Sequence, residues 1–119
     1  MYKYMNTNPF HNNIEDCTIR AISVAEGISW DEAYNKLSNS ARNLGLMMNS
    51  VEAIEEYLDE RYKRACHYSK TVGEFLEEHS KGTYLITMQG HITVIIDGIL
   101  YDTFDCRDKR MWCVWEVKN

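Results

Sequence analysis

The stretch GHITVIIDGILYDTF, residues 90–104, decides the fold. A run rich in β-branched residues, HITVII, is followed by Asp97-Gly98 and then by a second apolar run, ILYDTF. Asp-Gly between two such runs is a strong hairpin signal, because a tight I′ turn needs positive φ at both central residues. With Asp97 and Gly98 in the turn, Ile96 pairs with Ile99, His91 faces position 104 and Asp102 faces Thr93. His91 and Asp102 are then diagonal neighbours on one face, about 7–8 Å apart between Cα atoms and within side-chain reach. Asp105 does not share that parity.

Outward from the hairpin, TYLITM (83–88) reads as another strand, joined to HITVII by a turn at Gln89-Gly90. MWCVWEV (111–117) alternates Trp112 and Val114 against Cys113 and Trp115, as a last strand would. Upstream the period changes to that of helices. CTIRAISVAE (17–26) carries an apolar stripe, with Asp16 a candidate N-cap and Gly27 a candidate stop. Ser29 with Glu32, Asn49 with Glu52, and Thr71 with Glu74 mark three more helix starts by capping-box spacing. The third of the four helices should bury Val51, Ile54, Tyr57 and Leu58, and the last Val72, Phe75 and Leu76. ARNLGLMMN (41–49) reads as a loop with an apolar patch. The expectation is one α+β domain over residues 1–119, with N-terminal helices packed on a C-terminal antiparallel sheet.

Composition narrows the function. The 119 residues are 45% hydrophobic and 26% charged, with one proline and a net charge of −5, which is an ordinary globular balance. The acidic excess disfavours a nucleic-acid partner, since binding to phosphates needs clustered Lys and Arg. RYKR (61–64) and RDKR (107–110) are short and read as solvated surface. No apolar run approaches the roughly 18 residues of a membrane span, and the N-terminus lacks the apolar core of a secretory signal. A cytoplasmic protein is expected, with Cys17, Cys66, Cys106 and Cys113 as reduced thiols.

Cys17 lies at the leading edge of its helical stripe, where unpaired N–H groups and the helix dipole stabilise a thiolate. A thiolate nucleophile needs a base within hydrogen-bond reach, itself held by a third group. Of the four histidines, His91 opens a strand beside Asp102 on the next. In order and element type, DCTIRAIS, GHITVIIDG and YDTFDC resemble the papain-like cysteine peptidase fold. They are similar to small, often phage-encoded, predicted cysteine peptidases and, more distantly, to peptidases that cut double-glycine leaders. The resemblance spans residues 8–106 and rests on these three motifs.

It implies Cys17 as nucleophile, His91 as general base and Asp102 as the orienting acid. Papain-like enzymes usually place a Gln about six residues before the nucleophile to stabilise the oxyanion. Here that position is His11, so Asn12 and Asn13 become the candidate side-chain donors, with the Cys17 N–H as the other. The function so implied is a cysteine hydrolase acting on a peptide or protein through an acyl-enzyme, with no cofactor. The rival is a catalytically inactive module of the same fold that sequesters a host or partner protein. A zinc site from Cys66-His67, Cys106 and Cys113 is disfavoured, because the short Cys-x2–4-Cys hook is missing. Cys113 reads as an interior strand residue and Cys106 as an exposed second thiol. The oligomeric state is not legible.

Overall fold

The structure, a computed structural model, describes residues 1–12 and 14–118. Among them are four helices: α1 Cys17–Glu26, α2 Trp30–Leu44, α3 Val51–Arg61 and α4 Val72–Glu78. Six strands, β1 Tyr2–Tyr4, β2 Arg64–Cys66, β3 Thr83–Met88, β4 His91–Ile96, β5 Ile99–Asp102 and β6 Met111–Val117, form one sheet in the order β1-β5-β4-β3-β6-β2. The α+β class is as expected. The sheet is mixed rather than antiparallel, because β1 runs parallel to β5 at one edge.

The hairpin has the expected register: Ile96 pairs with Ile99 and Val94 with Tyr101. Asp97 and Gly98 both have positive φ, 49° and 76°. Aspartate tolerates that region and glycine has no penalty there, so the dipeptide closes a two-residue turn that matches the strand twist. β5 stops at Asp102, sooner than the apolar run suggests, because residues 103 and 104 bend away from the ladder. Between Ile86 and Met88 the β3–β6 register shifts. There the Thr87 hydroxyl accepts from the Cys113 N–H at 3.2 Å, which satisfies a backbone group beside the irregularity.

Both faces of the sheet are covered. Leu85, Ile92, Val94, Cys113, Trp115 and Val117 pack against α1, α2 and α3. Ile86, Met88, Ile95, Leu100, Met111 and Val114 pack with α4 and its Val72, Phe75 and Leu76. α1 is buried on nearly every side, Arg20 and Ser23 included. Its Ile22 is fully buried. Burial of that side chain is worth about 1.5–3 kcal/mol relative to exposure, which helps pin the helix, and hence Cys17, against the sheet.

The helix ends show where short-range reading succeeds. Ser29 accepts from the Glu32 N–H, and Thr71 with Glu74 forms a complete capping box. α2 runs on through residues 41–44, which were expected in a loop, and stops at Gly45 with φ 69°. The cap of α3 is Ser50, not Asn49, since it is Ser50 that accepts from the Ala53 N–H. Val51, expected inward, is exposed as the first residue of that helix. Thr71→Ala removes one bond of the capping box on α4. It should cost about 1 kcal/mol in urea unfolding, with an unchanged slope.

The four cysteines are not four free thiols. Cys66 and Cys113 stand directly opposite on β2 and β6, with Cα atoms 4.0 Å apart, and are joined as a disulfide. β2 is three residues long and carries no strand pattern, so nothing in the sequence brought the two together. Cys17 and Cys106 remain free. Cys113 is buried, as expected; Cys106, expected at the surface, is fully buried. Among the described residues, no helix is long and apolar enough to cross a membrane.

Candidate active site

Cys17 is the first residue of α1. It therefore carries one of the N–H groups that the helix cannot satisfy internally. Its half-buried thiol is influenced by the His91 side chain and the Ile92 backbone, although no hydrogen bond of ordinary geometry joins Cys17 to either. The β4–β5 ladder runs only from Val94 to Ile96, so the front of β4 is open to the incoming helix end. His91, the first residue of β4, bonds Asp102 through Nε2 to Oδ2 at 2.6 Å. This is the diagonal pair that the hairpin parity predicts. The other Asp102 oxygen accepts the Thr103 N–H at 2.7 Å, which fixes the carboxylate's orientation. Asp105 is exposed and paired with Arg107 instead.

Electrostatics follow from this chain of contacts. Burial pushes the Cys17 thiol up, but the His91 side chain, the Ile92 backbone and the charges of His91 and Arg20 outweigh it, and the net shift is down. Burial likewise opposes a charged His91, yet its hydrogen bond to Asp102, the nearby Cys106 and Cys17 thiols and the Asp102 charge raise it well above its usual 6.5. Asp102 is pushed up by burial and pulled further down by the His91 bond and charge and by the Thr103 N–H. The nearby Thr93 hydroxyl assists, although no hydrogen bond of ordinary geometry joins the two. The arrangement favours imidazolium on His91 at neutral pH and shifts Cys17 toward its thiolate.

Residues to which the sequence assigned no part in the site support this chain. Asp16 occupies the N-cap position of α1 but makes no capping bond. Its carboxylate is turned to Arg20, to Trp30 Nε1 at 2.9 Å and to Asn8 Nδ2 at 3.3 Å. Arg20 lies one turn on and pairs with Asp16, which leaves the cap unmade because the stronger charged partner takes the carboxylate. Arg20 also lies 3.9 Å from Asp102 and reaches the Thr103 hydroxyl at 3.5 Å. One buried arginine thus links the base of the Cys17 helix to the acid that holds His91. The i, i+4 spacing of Asp16 and Arg20, inside an apolar stripe, was the available signal.

Cys106 Sγ lies 3.8 Å from Asp102 Oδ2. Among the described residues, His91, Asp102 and Cys106 are a group whose ligand atoms all fall within 4.8 Å of one another. The Phe104 ring, half in solvent, tilts against His91 at 4.7 Å between centroids. A cavity of about 10 Å³, lined by Met5, Cys17, Arg20, Val24, Tyr101 and Asp102 among others, adjoins the thiol and has room for about one water.

Of the two oxyanion candidates, the structure describes Asn12. Asn12 is exposed, and its backbone carbonyl accepts from Asn6 at 3.3 Å. Asn13 lies outside the described residues. A search against protein-family models, curated proteins and solved structures finds no match to this chain.

Proposed function

We propose that this chain is a small papain-like cysteine hydrolase that cleaves peptide or isopeptide bonds of a protein or peptide substrate. The observation that carries the reading is the His91–Asp102 hydrogen bond on two paired strands, with His91 pulling down the pKa of a Cys17 thiol at a helix start. In the first half-reaction the Cys17 thiolate attacks the carbonyl carbon and pushes an electron pair onto the oxygen. As that pair returns, the bond to nitrogen breaks and the imidazolium of His91 gives its proton to the leaving amine. A thioester remains on Cys17. Neutral His91 then takes a proton from water, the resulting hydroxide attacks the thioester, and the acid leaves as the thiolate and imidazolium are restored. Asp102 holds the ring throughout. The Cys17 N–H, at the helix start, is a backbone donor for the transient oxyanion.

A second reading, an inactive papain-like module that holds a partner protein, has two observations in its favour. The cavity beside Cys17 is small, and the exposed Asn12 supplies no fixed side-chain donor to the site. The cytoplasmic setting has the Cys66–Cys113 bond against it, since disulfides persist in oxidising compartments.

Alkylation by iodoacetamide, followed at each cysteine by mass spectrometry, separates an assembled site from an ordinary thiol. At pH 6 Cys17 should react many times faster than a free thiol, and Asp102→Ala should slow it severalfold as the imidazolium loses its partner. A fluorogenic peptide and isopeptide panel should then give turnover that Cys17→Ala abolishes. Cys17 reacting at pH 6 no faster than a free thiol would overturn the hydrolase reading. A fast thiol without turnover on any substrate class favours the binding module.

A further inference from the structure

His91 Nε2, Asp102 Oδ2 and Cys106 Sγ form a compact nitrogen, oxygen and sulfur set that the proposed chemistry uses only in part. We propose that these three side chains bind a zinc-type divalent transition metal, and that the bound metal switches the site off by occupying the imidazole nitrogen that Asp102 holds. The inference concerns regulation of the proposed site and in that respect rests on the hydrolase reading; the metal binding itself does not.

The donor chemistry selects the metal class. A thiolate, an imidazole and a carboxylate together suit zinc and its neighbours, whereas calcium and magnesium take oxygen ligands. A tetrahedral ion with zinc-like bond lengths sets its ligand atoms about 3.3–3.7 Å apart. Cys106 Sγ and Asp102 Oδ2 already stand at 3.8 Å. His91 Nε2 and Asp102 Oδ2, now hydrogen-bonded at 2.6 Å, need to part by under an ångström, and all three atoms lie within 4.8 Å. Three protein ligands leave one position for water, as in zinc sites that stay open.

Two further features fit. Asp102 and Cys106 are buried and His91 is mostly so, which keeps competing water away from the ligands. Thr93 is 1% exposed, lines the cavity beside Asp102, and has a hydroxyl without a hydrogen-bond partner in the structure. A metal-bound water would give that hydroxyl a partner. Arg20 acts on the opposite oxygen of the carboxylate, Oδ1 at 3.9 Å, so cation and metal need not share an atom.

The protonic balance is simple. Coordination needs the Cys106 thiolate and a free electron pair on Nε2, so binding one ion releases the proton held by each to solvent. With Nε2 on the metal, the bond that orients the ring toward Cys17 is lost. Because Cys66 and Cys113 are bonded to each other, the free sulfur ligands on offer are those of Cys17 and Cys106.

Cobalt(II) added to the full metal-free chain, without thiol reductant, should bind one equivalent. It should develop the near-ultraviolet band of a cobalt–thiolate bond together with the visible bands of a tetrahedral site, and zinc should displace it. Cys106→Ser should lose the thiolate band and weaken binding at least tenfold, while Cys17→Ser keeps both. Absence of any thiolate band in the wild-type chain overturns the proposal, as does loss of the band in Cys17→Ser with retention in Cys106→Ser. Should Cys106→Ser fail to fold, X-ray absorption on the zinc-loaded wild-type chain decides. One sulfur ligand that survives Cys17→Ser supports the assignment, and no sulfur overturns it. Zinc should also slow Cys17 alkylation reversibly in the wild-type chain and much less in Cys106→Ala. Fast alkylation of the metal-free chain tests the hydrolase reading separately, so either can fail alone.

Discussion

His91→Ala should slow alkylation of Cys17 at pH 6 by ten- to a hundredfold. Burial acts on the thiol in the upward direction, and the largest influence opposing it is the His91 side chain, with the imidazolium charge behind it. Without the ring only the influence of the Ile92 backbone and the Arg20 charge remains, and burial prevails. A thiol now held below 9.0 should then titrate near or above it. Each unit of that rise cuts the thiolate fraction about tenfold below the pKa. A more basic thiolate attacks faster, which returns a little under half of the loss on a logarithmic scale. In the wild-type chain the rate should level off below pH 9; in the variant it should still be climbing there.

The same contacts fix the sign of the stability profile. A raised His91 contributes fully below about 6.5 and loses its contribution as pH rises through its elevated value. A lowered Asp102 contributes fully above about 3.8 and loses it as pH falls through its depressed value. Stability from the pair is therefore greatest between those limits. Superimposable pH–rate profiles for wild type and His91→Ala would show that the imidazole does not set the thiol's reactivity.

Arg20→Met should be the most damaging single substitution near the site, costing about 3 kcal/mol in urea unfolding. Methionine keeps most of the stem's packing and removes the charge. The Asp16 side chain is 2% exposed, and removing its cationic partner strands a buried carboxylate, a loss that runs to roughly 3–5 kcal/mol. The lower end applies because Trp30 and Asn8 still donate to Asp16. Adding Asp16→Asn to Arg20→Met should recover much of the loss, since no buried charge is then left at that end. If Arg20→Met costs under 1 kcal/mol, the pair is a marginal contact and the helix base is held by packing alone.

The hairpin was legible because its information is local: an Asp-Gly turn fixes register, and register fixes which side chains share a face. That is why His91 and Asp102 could be paired by counting, and why Ser29 and Thr71 were found as caps. Asp16 shows the limit. It has the right residue type at the right place, but a buried arginine competes for the carboxylate and wins, and only tertiary burial makes that competition matter. The edge strands were missed for a related reason. Lys3 and Ala65 sit in three-residue segments with no apolar period, and they become strands because β5 and β6 offer open edges. Cys106 was invisible because its burial depends on the chain folding back after β5. Its place beside Asp102 follows from that path rather than from any pattern around it.

The Cys66–Cys113 bond has a topological consequence. It closes a covalent ring across a separation of 47 residues. His91, Asp102 and Cys106 all lie inside that ring, and Cys17 lies outside it on the free arm. A single backbone cut anywhere from residue 67 to residue 112, self-inflicted or not, opens the ring without separating the pieces. The mass of the intact chain then rises only by one water, and fragments part when the disulfide is reduced. Self-processing by this protein would thus be silent on a non-reducing gel and visible on a reducing one.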